Sequence, residues 1–376
     1  LMALDHVRDF LHRGAMSSSP TDLTRTTPLL FFTRWVTHAC APTFMLLAGL
    51  GAFLWWHGKR TKLQLSIFLL ARGLWLVALE LTLMQLAYYF DVSLRYPILL
   101  LVLWALGASM IALALLIWLP IRVLAVLSIA VITLHNLLDG ANAAQFGPAA
   151  WAWNLLHQPG AFSLAGATVI VGYPLVPWVA VMALGFCLGP LFLEDREVRR
   201  RYLTVIGAAV TVTFVVIRML NGYGDPQPWT AQRSTTYTLL SFLNTIKYLP
   251  SLDFLLMTLG PSLLALAWFD RPGLKPCNPL VVFGRVPLFY FVVHFYAAHA
   301  AAAVLALARY RTGALAFLFQ PVPSMGGPPE QFPAQFGYDL WMVYLVWAII
   351  LLALYPACRW FAAIKAKRHD WWLSYL

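Results

Sequence analysis

Charge is what this sequence has least of. Only 11% of its 376 residues are Asp, Glu, Lys or Arg, where a soluble domain carries about 25%. That fraction cannot cover a 42.1 kDa globule with charge, so a water-soluble fold is excluded. Cysteine is also scarce. Cys40, Cys187, Cys277 and Cys358 stand far apart with no CxxC pair, which argues against both a zinc knuckle and a disulfide framework. There is no HExxH, no EF-hand pattern, no P-loop, no GxGxxG opening a helix after a strand and no GxSxG elbow, so no metal site is expected and the nucleotide-binding and serine-hydrolase motifs are absent.

What is present is apolar: 61% of residues, arranged in runs of about 20, the length that crosses a bilayer core as helix. The sequence predicts an all-α fold, a polytopic transmembrane bundle. Nine spans fall near 36–56, 64–90, 97–118, 121–138, 173–193, 202–222, 250–269, 281–308 and 338–362, with a helical stub at 1–12. The opening LMALDH reads as the end of an apolar helix whose start lies upstream, so the first helix is expected to be truncated. No internal repeat or soluble domain is evident, and residues 1–376 read as one membrane-embedded domain.

The net charge of +11 raises the question of nucleic acid, but the cations cluster in short loops in the pattern of the positive-inside bias. Lys59, Arg60 and Lys62, then Arg122, then Arg196, Arg199, Arg200 and Arg201, then Arg271 and Lys275, then Lys365, Lys367 and Arg368 all fall on one side. This side is expected to be cytoplasmic, with the C-terminus, and no nucleic-acid partner is expected. Segments 13–35, 91–96, 139–172, 223–249 and 310–337 fall on the other. They are rich in Pro, Gly, Trp and amides, as in WAWNLLHQPG, NGYGDPQPW and QPVPSMGGPPEQF. Such stretches cannot be helices in lipid and are expected to fold over the outer mouth.

An ionisable group within a span costs about 2.5–3.5 kcal/mol, so those retained usually face the interior and function there. They are Asp5 and His6; Arg34 and His38; Arg72 and Glu80; His135, Asn136 and Asp139; Arg218, Asn221 and Asp225; Asn244 and Lys247; Arg285; His294 and His299. His6 is either a general base, imidazole being the side chain best placed to exchange a proton near neutrality, or a capping histidine. Arg34 and His38, four apart, share a helix face and suggest an anion or carbonyl site, or a snorkelling pair. Arg72 and Glu80 are roughly 12 Å apart along a helix, too far to pair, so Glu80 needs a partner from elsewhere, with Arg218 a candidate. His135 and Asp139 are an acid/base element or a helix cap. Arg218, Asn221 and Asp225, with Gly222 and Gly224 between them, are a site wall or a hairpin. His294 and His299 point about 140° apart on a helix and do not suit one metal.

Several stretches together, LMALDHVRDF, TRWVTHACAPTFMLLAG, LLARGLWLVALEL, HNLLDG, YPLVPWVAVMALGFCLG, MLNGYGDP, FLNTIKYLPSLDFLLMTLGP, FGRVPLFYFVVHF and DWWLSYL, resemble the bacterial membrane family grouped with the catalytic domain of heparan-alpha-glucosaminide N-acetyltransferase. The resemblance implies a transmembrane acyltransferase of the bacterial inner membrane. It would move an acyl group, acetyl in the first instance, from cytoplasmic acetyl-CoA to an amine or hydroxyl of an envelope glycan or related small acceptor. Membrane lipid and a homodimer are further partner options. His6, oriented by Asp5, is the expected base. Arg34, Arg218 or Lys247 would serve the oxyanion or the pantetheine and phosphate groups, and His38, Glu80, His135, Asp139, Asn221, Asp225, Asn244, Arg285 and His294 would line the substrate site. In the lysosomal relative the position of His6 is taken by Asn and its catalytic His lies downstream, where His12 is the residue at hand; His38 falls where that relative has an acidic residue. The competing reading is a proton-coupled transporter or exporter without a covalent step.

Overall fold

The computed structural model describes residues 1–91, 96–271, 273, 275, 277–320, 329–333, 335–368 and 370. Parts of the expected outward segments 91–96 and 310–337 and most of the terminal DWWLSYL lie outside the described residues.

Helices dominate. In chain order they are α1 (Met2–Leu11), α2 (Pro28–Trp35), α3 (Cys40–His57), α4 (Lys62–Leu79), α5 (Gln85–Tyr89), α6 (Val102–Leu116), α7 (Ile121–Leu134), α8 (Ala150–Leu156), α9 (Trp178–Cys187), α10 (Arg196–Leu220), α11 (Thr235–Leu243), α12 (Leu252–Phe269), α13 (Pro279–Arg285), α14 (Pro287–Tyr310) and α15 (Leu340–Lys367). Among the described residues seven helical stretches are long and apolar enough to cross a membrane: Pro28–His57, Lys62–Tyr89, Ile121–Leu138, Arg196–Leu220, Leu252–Phe269, Pro287–Ala316 and Leu340–Lys367. Two shorter apolar helices, Val102–Leu116 and Trp178–Leu193, stand where the other two spans were expected. The chain is a multi-pass helical membrane protein.

Helix starts follow from local chemistry. Thr61 and Gln64 form a reciprocal capping box at α4, Thr27 caps α2 with Pro28 in its first turn, and Ser251 Oγ accepts from the Phe254 amide at the head of α12. Each satisfies an amide that helix geometry leaves without a partner.

Two compact units make up the fold: Leu1–Thr37, Thr82–Tyr96 and Pro272–Leu376 in the first, His38–Leu81 and Pro97–Arg271 in the second. In the first unit α1 packs on α14 and α15. Its core gathers Ala3, Val282, Val286, Tyr290, Cys358, Phe361 and Ala362.

The second unit contains a sheet that the sequence reading did not anticipate. The segment 139–172, expected as loop, forms α8 and the strands β2 (Gly160–Leu164) and β3 (Ala167–Val171). Ala165 and Gly166, both at positive φ, make the two-residue turn between them, as the twist of a tight hairpin requires. β3 also pairs in parallel with β1 (Ile98–Leu100), Ile98 opposite Val169 and Leu100 opposite Val171. Leu100, Val169 and Val171 form a small core with Trp104, Leu155 and Phe162. The sheet pairs backbone groups that a loop would leave to other partners.

Glycines set the helix spacing in this unit, as expected where lipid offers no hydrophobic drive and association depends on close contact. A Cβ on Gly49 of α3 would run into the Met182 carbonyl of α9, and one on Gly185 into the Leu46 carbonyl of α3. Gly73 of α4 and Gly107 of α6 abut in the same way, with 2.6 and 2.5 Å from the built Cβ to the other glycine's carbonyl. Gly51, on α3 as well, has nothing within 4 Å of such a Cβ. Gly49→Ala is therefore expected to destabilise by about 1–3 kcal/mol through overpacking, while Gly51→Ala is neutral or slightly stabilising. Thermal midpoints of the two variants in detergent provide the check, and equal effects would refute the close approach.

Candidate functional site

The expected site residues fall into two groups, one in each unit. In the first unit, α1 carries a polar stripe in an apolar helix. Helical spacing brings residues three and four apart onto one face, so Asp5 meets Arg8 and His6 meets Asp9. Arg8 Nη2 donates to Asp5 Oδ1 at 2.9 Å and to Asp9 Oδ1 at 2.6 Å. Asp5 also forms an ion pair with Arg34 at the end of α2. Two guanidinium groups and two carboxylates thus neutralise one another, the condition under which charge survives burial.

His6 sits at the edge of this network. Its Nδ1 lies 3.9 Å from Asp9 Oδ2, and its side chain is 22% exposed. Its ring packs against α14, with centroid distances of 4.2 Å to Phe295, 5.3 Å to His294 and 6.3 Å to Phe291. Asp5, expected to orient His6, is the carboxylate held between Arg8 and Arg34; Asp9 is the one placed against the imidazole nitrogen. Neither Arg8 nor Asp9 was singled out in the sequence, although the same spacing rule that links Arg34 with His38 would have found both.

His294 is fully buried, with Nδ1 2.7 Å from the Tyr290 carbonyl. His299 has a packing role: its ring is stacked at 4.7 Å on Phe10 and 3.7 Å on Phe90, with Nδ1 2.7 Å from the Ala87 carbonyl. His12 accepts at Nδ1 from the Gly14 amide. Burial and the neighbouring cations Arg8 and Arg13 hold its imidazole below the ordinary value, against the opposing pull of Asp339. Arg285 is exposed at the end of α13.

In the second unit, the centre is Arg218 at the end of α10, 2% exposed. Its Nε donates to the Phe242 carbonyl at 2.9 Å, Nη1 to Gln227 at 3.0 Å, and Nη2 to Ser241 at 3.2 Å and Asn244 at 3.0 Å. Asp253 Oδ2 stands 3.5 Å and Asp225 Oδ1 3.9 Å from Nη1. Asp225 in turn accepts from Ser251 Oγ at 2.6 Å and from the Ile246 and Gln227 amides. Burial pushes its carboxyl up, against those bonds and the Arg218 charge. Asn221, in left-handed conformation at the end of α10, exchanges two bonds with the Trp229 backbone. The cluster ties the segment 221–253 to α10 and α12, and Asp253 and Ser251 are its members that the sequence reading missed.

The remaining candidates of this unit have local partners. Glu80 does not pair with Arg218. Its Oε2 accepts from the Leu103 and Trp104 amides at 2.7 and 3.0 Å, a carboxylate at the positive end of α6. It lies in a π-turn, Glu80–Met84. His135 places its ring nitrogens 2.9 Å from the Ile132 and Pro250 carbonyls, and Asp139 bonds instead to His157 at 3.3 Å and Asn136 at 2.7 Å. His38 is buried with its ring 5.4 Å from Phe254, Lys247 lies 5.2 Å over the Tyr248 ring, and Arg72 6.0 Å over Phe68. Among the described residues no three His, Cys, Asp or Glu side chains group as metal ligands.

The catalytic-domain model of heparan-alpha-glucosaminide N-acetyltransferase matches residues 19–218, more than half of the chain. The chain belongs to this family. The match runs from before α2 to the buried end of α10 and includes Arg34, His38, Glu80, His135, Asp139 and Arg218. No curated protein and no solved structure matches the chain. Membership brings an acyltransferase-type function.

Arg218→Met strips the buried carboxylates of Asp225 and Asp253 of their cation, a loss of about 3–5 kcal/mol. Arg218→Lys shares the defect, because an ammonium cannot reach a fork of carbonyls. Both variants are expected to give aggregated protein on size-exclusion chromatography, and a monodisperse Arg218→Met would contradict the bracing role. Asp139 supplies a pH test. Burial alone would raise its carboxyl, but the bonds from His157 and Asn136 prevail and hold it below the ordinary value of 3.8. The stability this contributes is fully present above 3.8 and lost as pH falls below it through the lowered value. Trp153 fluorescence should show an acid-side step that Asp139→Asn removes.

Proposed function

We propose that the protein is a transmembrane acyltransferase that carries an acyl group, acetyl in the first instance, from cytoplasmic acyl-CoA to an amine or hydroxyl of an envelope glycan or related acceptor. The observation that carries this reading is the half-buried His6 imidazole set against Asp9, beside the charge-balanced Asp5, Arg8 and Arg34. It is an acid/base group in a low-dielectric surround, with cations close by. Family membership supports the reaction class.

The donor set fits an acyl thioester. Acyl-CoA supplies an activated carbonyl when bound. Phe291 and Phe295 offer apolar wall to its acyl and pantetheine carbons, and Arg34 offers positive charge to the oxygen on which negative charge grows. His6 takes the proton from the acceptor's O–H or N–H as that atom bonds to the carbonyl carbon. It returns the proton to the sulfur as the C–S bond breaks, so no net proton is left on the protein. Asp9 steadies the imidazolium between the two transfers. The second unit's Arg218, with four N–H donors engaged by carbonyls, serves as a brace and holds no phosphate.

The cation-rich loops, from Lys59 to Arg368, support placing that side and the C-terminus in the cytoplasm of a bacterial inner membrane. Among these cations Arg199 is tied bidentately to Asp270 at 2.7 and 2.9 Å. Arg201, on the same helix, is exposed.

Purified full-length protein is expected to bind acetyl-CoA by calorimetry and to transfer the acetyl group. His6→Ala should lower turnover about 10²- to 10⁴-fold while CoA binding persists. Failure of the wild type to bind acetyl-CoA, or full turnover by His6→Ala, would overturn the proposal.

A further inference from the structure

We infer that His294 is a substrate-positioning residue whose Nε2 accepts a hydrogen bond from an N–H or O–H group of a bound substrate next to His6. The inference rests on the acyl-transfer reading and adds a contact that reading does not use.

His294 is 0% exposed. Its Nδ1 lies 2.7 Å from the Tyr290 carbonyl oxygen, one turn back along α14. A carbonyl only accepts, so Nδ1 carries the hydrogen and the lone pair of the neutral ring sits on Nε2. Nε2 is buried and has no hydrogen-bond partner among the described residues. Buried polar atoms are almost always partnered, and an exception calls for a reason.

The position of this atom supplies one. Nε2 is the ring nitrogen remote from the backbone, so it projects away from the α14 axis while Nδ1 is turned to its own helix. From centroid to centroid, the rings around the His294 imidazole are Tyr290 at 4.9 Å, Phe291 at 5.7 Å, Phe295 at 6.0 Å and His6 at 5.3 Å. Three are aromatic and give a dry wall; the fourth is the proposed base, which is open to solvent over part of its surface. A molecule that reaches His6 therefore comes within about one imidazole width of an acceptor whose bond is made to nothing else. In a dry wall, an unmatched acceptor favours a ligand that brings a donor and rejects one that does not. Acyl-CoA brings such donors in its pantetheine amides, and the attacking acceptor brings its own O–H or N–H; the two share the chemistry that His294 would read.

Three proteins test this: wild type, His294→Phe, which keeps a ring and removes the lone pair, and His294→Gln, which restores an acceptor oxygen. The readouts are the thermal midpoint without ligand, the Kd of acetyl-CoA by calorimetry, and the KM of D-glucosamine as acceptor. His294→Phe is expected to raise the thermal midpoint without ligand, since a buried partnerless nitrogen disappears. It should also weaken one substrate at least tenfold, with His294→Gln recovering to within threefold of wild type. A change confined to the Kd of acetyl-CoA assigns the contact to the donor, and a change confined to the KM of glucosamine assigns it to the acceptor. Both constants within twofold of wild type overturn the inference. So does a fall in the ligand-free midpoint with both constants unchanged, which marks His294 as packing alone. If wild type binds no acetyl-CoA, the acyl-transfer reading falls. His294 then stands only if glucosamine raises the wild-type midpoint and His294→Phe abolishes that rise; no such rise overturns it as well.

Discussion

A bilayer core offers a protein neither water for its backbone nor counter-ions for its charges, and most of this structure is a response to that. Backbone groups are closed inside helices or, where the chain cannot be helical, inside a three-stranded sheet. Helix pairs come close enough for glycine to face carbonyl, because contact rather than water exclusion must hold them together. Charges are matched where they stand. Asp5 and Asp9 balance Arg8 and Arg34 in one unit, and Arg218 serves Asp225 and Asp253 in the other.

The two charge clusters answer the same constraint in different ways, and the difference separates chemistry from support. Around Arg218 the hydrogen bonds run to main-chain carbonyls of residues 227 to 244, so the guanidinium fixes a stretch of backbone. A group with that many fixed partners cannot change partners during a reaction without unfolding its surroundings. The α1 cluster is built from side chains of one helix and Arg34, and its imidazole member touches a carboxylate at 3.9 Å rather than at bonding distance. Contacts between side chains can be exchanged without displacing main chain. Similar residue types thus bind main chain in one unit and one another's side chains in the other.

The spans were legible because a run of about 20 apolar residues has only one structure open to it in lipid. Each of the nine expected windows holds a helix, and the two short ones have local causes. α6 starts only at Val102, after β1 and under the Glu80 carboxylate, and the helical stretch Trp178–Leu193 is hemmed by Pro177 before it and Gly189 and Pro190 within it. The sheet was not legible. The alternation in ATVIV is a strand signal, but only one of its two partners, Gly160–Leu164, is adjacent; the other, Ile98–Leu100, lies some seventy residues earlier in the chain, and Pro, Gly and Trp content pointed to loop. Side-chain pairing was not read from spacing even where the pair was local. Spacing put His135 beside Asp139, yet the bond goes to His157, across the segment whose fold was missed. Glu80 was rightly marked as needing a partner, but backbone amides at a helix end leave no trace in sequence.

The family match begins at residue 19, after α1 has ended, so two independent lines bear on the reaction. Family membership gives the class of chemistry, whereas the placing of His6 against Asp9 and of His294 beside His6 is read from burial, distance and hydrogen bonding. The lines meet at Arg34. It lies within the matched residues, at the close of α2, and its ion pair is with Asp5. Asp5 shares the Arg8 guanidinium with Asp9, and Asp9 faces His6. A continuous set of charge contacts inside one unit thus joins a residue of the family segment to the imidazole. Replacing the charge at Arg34 would leave Asp5 to draw on Arg8, loosen Asp9 and change the field at His6, so the family segment can influence the proposed base even though that residue lies outside it.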